Sequence, residues 1–99
     1  MNRPSREALA VIRACVASGR YRVLLHFVSR MDERGLFWPD VQSVISAPSA
    51  VEDGGEDDFG RPKWILTGRT TDNMDLTVVC VLDRDKRGHM TLFVTAYWK

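Results

Sequence analysis

The hydrophobic period of this chain changes once, near Ala50, and that change constrains the fold more than any other feature. Before it, apolar residues recur at three- and four-residue steps. Leu9, Ile12 and Val16, with Ala8, Val11 and Cys15 beside them, make one helical stripe. Leu24, Phe27, Val28 and Met31 make a second, and Val41, Val44 and Ile45 a third. An α-helix turns about 100° per residue, so each set lies on one side. After Ala50 the repeat is two. Lys63 to Thr70, Leu76 to Asp83 and His89 to Trp98 read as strands, joined by the polar turns Thr71–Asp75 and Arg84–Gly88. Helices first and strands second predict an α+β fold. Its expected form is two or three N-terminal helices packed on a three- to four-stranded antiparallel meander, within one domain spanning residues 1–99.

Local signals place the boundaries. Pro4-Ser5 opens the first helix, with Ser5 as the expected cap and Glu7 facing the helix dipole. Gly19 and Gly35 close the first two helices, where a left-handed residue without a Cβ fits best. Arg20-Tyr21-Arg22 reads as a short connection. Pro39 suits the first turn of the third helix, and Pro48 follows its end. Val51–Asp53 reads as a short edge strand. In the last strand, strict alternation puts Met90, Leu92, Val94 and Ala96 on one face and Thr91, Phe93, Thr95 and Tyr97 on the other.

Charge is distributed in blocks. Residues 1–36 carry seven Arg against three acids, residues 37–60 six acids and no Lys or Arg, and residues 61–99 seven basic residues against four acids. The formal net charge of +1 makes no overall electrostatic case for nucleic acid, but two basic ends folded together would form a positive patch beside an acidic loop. Cys15 and Cys80 sit in apolar runs and read as buried free thiols. No Cys or His spacing suits a metal, so neither metal nor cofactor is expected. The apolar run after Arg3 and Arg6 is broken by Arg13 and is too short for a leader or a membrane span, so a cytoplasmic protein with no membrane partner is expected.

The chemistry concentrates between Leu24 and Leu36. His26, Arg30 and Arg34 lie on one polar stripe of the second helix. His26 is the side chain suited to proton transfer near neutral pH, and Arg30 and Arg34 carry forked donors that match phosphate. The competing reading is structural: a hydrogen-bonded histidine, and arginines in a solvated face laced with ion pairs to Asp32 and Glu33. The acidic loop of Glu52, Asp53, Glu56, Asp57 and Asp58 lacks the spacing of a calcium loop and reads as solvated, with masking of nucleic acid or meeting a basic partner as its other uses.

An ordered set of short motifs spans residues 20–98. It runs His26-x-x-x-Arg30-Met31-x-x-Arg34-Gly35-Leu36, Asp40-Val41 opening a helix, Arg61-Pro62-Lys63 before a strand, and a terminal Val94-Thr95-Ala96-Tyr97. This set resembles the bacterial domain-of-unknown-function family 4258. That family is similar in layout to RelE/ParE-type and BrnT-like toxin folds. One departure is Phe37-Trp38-Pro39, where such sequences carry Ser or Thr. The resemblance implies a toxin-type ribonuclease of a toxin–antitoxin-like system that cleaves RNA without a metal. Its partners would be RNA or the ribosome and an antitoxin protein. Under that reading His26, Arg30 and Tyr97 are the catalytic candidates, and Arg34, Lys63, Arg69 and Thr95 the substrate-binding ones. The alternative is a non-catalytic module that binds protein or nucleic acid on the same scaffold. Oligomeric state is not legible from these residues.

Overall fold

The computed structural model describes all 99 residues. Three helices precede most of the sheet: α1 (Arg3–Ser18), α2 (Leu25–Arg34) and α3 (Trp38–Ser46). The strands are β1 (Tyr21–Val23), β2 (Pro48–Glu56), β3 (Pro62–Arg69), β4 (Asp75–Asp85) and β5 (Gly88–Trp98), in the sheet order β1-β5-β4-β3-β2. The α+β class stands, with all three helices. The antiparallel meander runs through β2–β5, but the sheet is not limited to three or four strands: β1 adds a fifth, parallel one, so it is mixed. The segment read as a connection, Tyr21–Val23, pairs parallel to β5 through Tyr21↔Thr91, Arg22↔Leu92 and Val23↔Phe93. A parallel neighbour 70 residues away leaves no local trace, because its register is set by packing rather than by a turn.

The first helix starts differently from the sequence reading. Asn2 is the cap, accepting from the Ser5 N–H at 2.9 Å. Ser5 is buried and its Oγ donates to the Val51 carbonyl at 2.6 Å, tying α1 to β2. A serine that can reach a strand carbonyl serves better there than at a cap, since a buried hydroxyl must be paired. At the far end, Gly19 (φ 78°) takes the left-handed cap as expected. Arg13 spans to α3 and donates to the carbonyls of Ile45 and Ser46 at 3.0 and 2.7 Å, satisfying carbonyls at the end of that helix.

The three helices pack in one cluster on one face of the sheet, but α2 contributes only Phe27 in full: Met31 is partly buried against the cluster, and Val28, expected on the same apolar stripe, is 47% exposed. Ala8, Leu9 and Ile12 come from α1, Phe27 from α2, and Val41, Val44 and Ile45 from α3. They meet Trp64 and Leu66 of β3, Leu76, Val78 and Cys80 of β4, and Phe93 and Ala96 of β5. Phe93 is fully buried at the centre of four rings. Phe27, Tyr21 and Trp38 lie edge-on to it at 5.7, 5.9 and 5.2 Å, and Tyr21 stacks on Trp38 at 5.3 Å. These offsets suit the aromatic quadrupole, and they tie β1, α2 and α3 to β5. Gly68 lets α3 approach β3: a Cβ there would lie 3.3 Å from the Cα atoms of Val44 and Pro48. Both cysteines are buried free thiols, and burial pushes the Cys80 thiol well up, which leaves it unreactive.

Asp40 connects α3 to the β3–β4 turn. It is buried, and its carboxylate accepts from the Phe37 N–H at 3.0 Å, the Thr71 Oγ at 2.8 Å and the Thr71 N–H at 3.3 Å. Burial alone would raise its pKa, but the hydrogen bonds outweigh that cost and hold the carboxyl below its ordinary 3.8. A depressed folded-state pKa stabilises the fold above the unfolded value, and that contribution is lost as pH falls through the folded value. Stability is therefore expected to drop below pH 3.8 more steeply in the native chain than in Asp40→Asn. The substitution itself should cost about 1–3 kcal/mol near neutral pH, where one charged acceptor becomes neutral. Denaturant titrations at several pH values measure both.

Candidate functional site

The sheet face opposite the helices takes no part in their core cluster; Thr67, Thr77, Val79, Val81 and Leu92 are nonetheless buried on it, Arg22, Arg69 and Tyr97 are exposed, and cross-strand register shows how they are arrayed. Partners in register share a face. Arg22, Leu92, Val81 and Lys63 form one row across β1, β5, β4 and β3. Thr95, Val79 and Ile65 form the next, followed by Tyr97, Thr77 and Thr67. Arg69 pairs across from Asp75 at the far end. None of these side chains belongs to the helix-side core cluster.

A bulge in β5 produces this arrangement. Cys80 pairs with Phe93 and Val79 with Thr95, so Val94 is the extra residue. One added residue inverts the facing of everything beyond it. The expected alternation, with Thr91, Phe93, Thr95 and Tyr97 together, is therefore broken: Phe93 is in the core, while Thr95 and Tyr97 are on the bare face. Ala96 moves to the core in exchange. Two of the predicted residues thus join Lys63 and Arg69 on a surface they would not otherwise share.

The helix half of the predicted set lies elsewhere. His26 is exposed on α2 and makes no hydrogen bond within the chain, next to Phe27, which anchors that helix in the core. Arg30 binds Glu33 through Nη1 at 2.6 Å, and the Arg34 Nη1, enclosed by the protein, lies 3.6 Å from the same carboxylate, beyond hydrogen-bond length. Arg69 donates to the Asn73 side chain at 2.9 Å and lies near Asp75 at 3.7 Å. Of the seven predicted residues, only Lys63 lines a cavity. His26 and Arg30 share no cavity and no hydrogen bond with Thr95 or Tyr97.

Two adjoining cavities of about 480 and 270 Å³ open on the bare face at its β1 end, sharing Leu24, Arg61 and Leu92. Their floor is Leu92, Val81 and Val94; the cations on their rim are Arg22, Lys63, Arg61 and Arg84. Arg61 is fully committed. It donates to Asp57 at 2.8 Å and to Asp83 at 3.2 Å. Asp85 is held by Arg20 at 2.5 Å, which drives its carboxyl below the ordinary range. Arg22, Lys63 and Arg84 have no carboxylate partner, while Glu56 and Asp58 are the acids left unpaired. The sequence reading assigned no role to Arg22 or Arg61. Arg61 belongs to the Arg61-Pro62-Lys63 motif, but only the sheet order brings Arg22 to the same groove.

No group of three or more His, Cys, Asp or Glu side chains is placed to hold a metal ion, and no helix is long and apolar enough to cross a membrane. No curated protein and no solved structure matches the chain. A sequence model of one family, described as Domain of unknown function (DUF4258), matches residues 23–98, from the end of β1 through β5. The match covers both the α2 stripe and the strands of the bare face, and the chain belongs to that family.

Proposed function

We propose that this domain binds single-stranded RNA on its bare sheet face, as the substrate-binding part of a toxin-type protein. The observation that carries this reading is the Val94 bulge, which sets Thr95 and Tyr97 on the same face as Lys63 and Arg69. That face offers what unpaired RNA needs: an aromatic ring, hydroxyl groups, an aliphatic floor and cations. The low net charge is not an obstacle, because the acids nearest the groove are largely neutralised. Asp57 and Asp83 are bound by Arg61 and Asp85 by Arg20, so Arg22, Lys63 and Arg84 are left to meet phosphate.

The finer reading is a toxin-type endoribonuclease with a RelE-like layout, acting on free or ribosome-bound RNA in the cytoplasm and restrained by an antitoxin protein. Metal-independent cleavage needs a base for the 2′-OH, an acid for the leaving oxygen and cations for the phosphate. Tyr97, 41% exposed on the bare face, is the group best situated to touch RNA bound there. His26 and Arg30 would have to act from α2. The non-catalytic reading draws support from His26, which has no hydrogen-bond partner to orient it, and from the pairing of Arg30 with Glu33.

Both readings are tested by titrating labelled RNA oligomers into the protein at several salt concentrations. Three phosphate contacts would make log K fall with log salt at a slope of about −2. Lys63→Ala or Arg22→Ala should each shallow that slope by about 0.7. An affinity independent of salt and unchanged in both variants would count against the proposed face. Cleavage of the same oligomers, lost in Tyr97→Phe, separates the enzyme from the binding module.

A further inference from the structure

Phe59 is the most exposed aromatic residue of the chain, at 81%. It stands at the tip of the β2–β3 loop and lines neither cavity itself, but the nearby Asp58 and Arg61 line the smaller one. This loop is not free. Asp57 Oδ1 accepts from the N–H groups of Phe59 and Arg61 at 3.0 and 2.8 Å. The Asp57 N–H donates to the Arg61 carbonyl at 2.9 Å, and the Gly60 N–H to the Asp57 carbonyl at 3.0 Å. Arg61 then pins the loop to β4 through Asp83 at 3.2 Å. The Arg61 guanidinium lies 4.9 Å from the ring centroid, supporting the ring by a cation–π contact. The ring is therefore held outward in one place and still open to solvent.

We propose that Phe59 is a stacking platform for one unpaired nucleobase at the end of the groove. The proposal rests on the RNA-binding reading of the bare face and names a specific residue for it. Charge sets the polarity of the fit. The unpaired carboxylates of Glu56 and Asp58 flank this end and repel phosphate. The backbone therefore follows Arg22 and Lys63, and a base rather than a phosphate reaches the ring. A base stacked on Phe59 completes a sandwich whose other side is Arg61, already in position, so little ordering remains to be done on binding.

The test is fluorescence anisotropy of the full chain with an end-labelled eight-nucleotide oligoadenylate. Phe59→Ala should weaken binding about five- to 150-fold, the usual range for losing one stacked base. Its salt slope should stay that of the native chain, because no charge is removed. Phe59→Trp should bind as tightly as the native chain, and Phe59→Leu should behave like the alanine variant. Native affinity in Phe59→Ala, with Lys63→Ala still weakened, overturns the stacking role and leaves the RNA-binding face standing. Native affinity in Phe59→Leu also overturns it, since an aliphatic side chain cannot stack. No binding of oligoadenylate by the native chain removes the RNA-binding reading and this role with it.

Discussion

Replacing Phe93 with alanine is expected to cost the fold about 3–5 kcal/mol, the range for deleting a large buried aromatic. The residue is 0% exposed and is the common partner of Phe27, Tyr21 and Trp38. Its loss opens a cavity and removes three edge contacts, each worth about 0.5–1.5 kcal/mol beyond area burial. The consequences are not confined to the core. Phe93 also pairs with Val23 and accepts at its carbonyl from the Leu24 N–H at 3.1 Å, so it fixes where β1 ends and α2 begins. Loosening it loosens Arg22 and Leu24, which line the groove. Urea unfolding measures the first effect as a lower midpoint. A disproportionate gain in amide exchange at Tyr21–Leu24 measures the second.

Deleting Val94 is expected to be at least as severe. Without the extra residue, the ladder beyond Phe93 either slips or inverts. Inversion would turn Thr95 and Tyr97 into the helix-side core and Ala96 out of it, a one-residue slip that reverses every side chain beyond it. Burying the Tyr97 hydroxyl without a partner would cost about 1–3 kcal/mol by itself, and a core filled by Ala96 has no room for the ring. The expected outcome is loss of a cooperative unfolding transition, read by denaturant titration. A deletion variant that unfolds cooperatively at native stability would mean that the bulge does not set the facing of β5. Val94→Ala is the matched control. It keeps the residue count and should lose little, because Val94 is only half-buried.

How far the sequence speaks for this fold differs by element. The helices were legible because each has a single apolar stripe with a glycine or proline at its end, and the hairpins β3–β4 and β4–β5 because their turns are local and polar. Two features were not, and both concern β5. Its parallel pairing with Tyr21–Val23 depends on a partner 70 positions away. Its bulge falls inside Leu92-Phe93-Val94, three consecutive apolar residues in which alternation carries no information. The candidate site was legible to the same degree. Lys63, Arg69, Thr95 and Tyr97 are visible in the sequence as single side chains, but the face that unites them depends on the bulge. Arg22 joins them only through the parallel strand, and Arg61 is absorbed by Asp57 and Asp83 in ways no spacing announces. The α2 stripe is the converse case. Its helical spacing holds for Phe27 and not for Val28, which is exposed, and Arg30 pairs with Glu33, the contact a solvated helix face makes.

On the proposed function, the bare face and not the polar side of α2 meets RNA. This is tested most directly by backbone amide chemical-shift mapping during titration with a short single-stranded oligomer. Binding on this face should produce shifts that follow the rows across the sheet, at Arg22, Lys63, Ile65, Val81, Leu92, Thr95 and Tyr97, with little change along α2. Shifts confined to His26, Arg30 and Arg34 would contradict it.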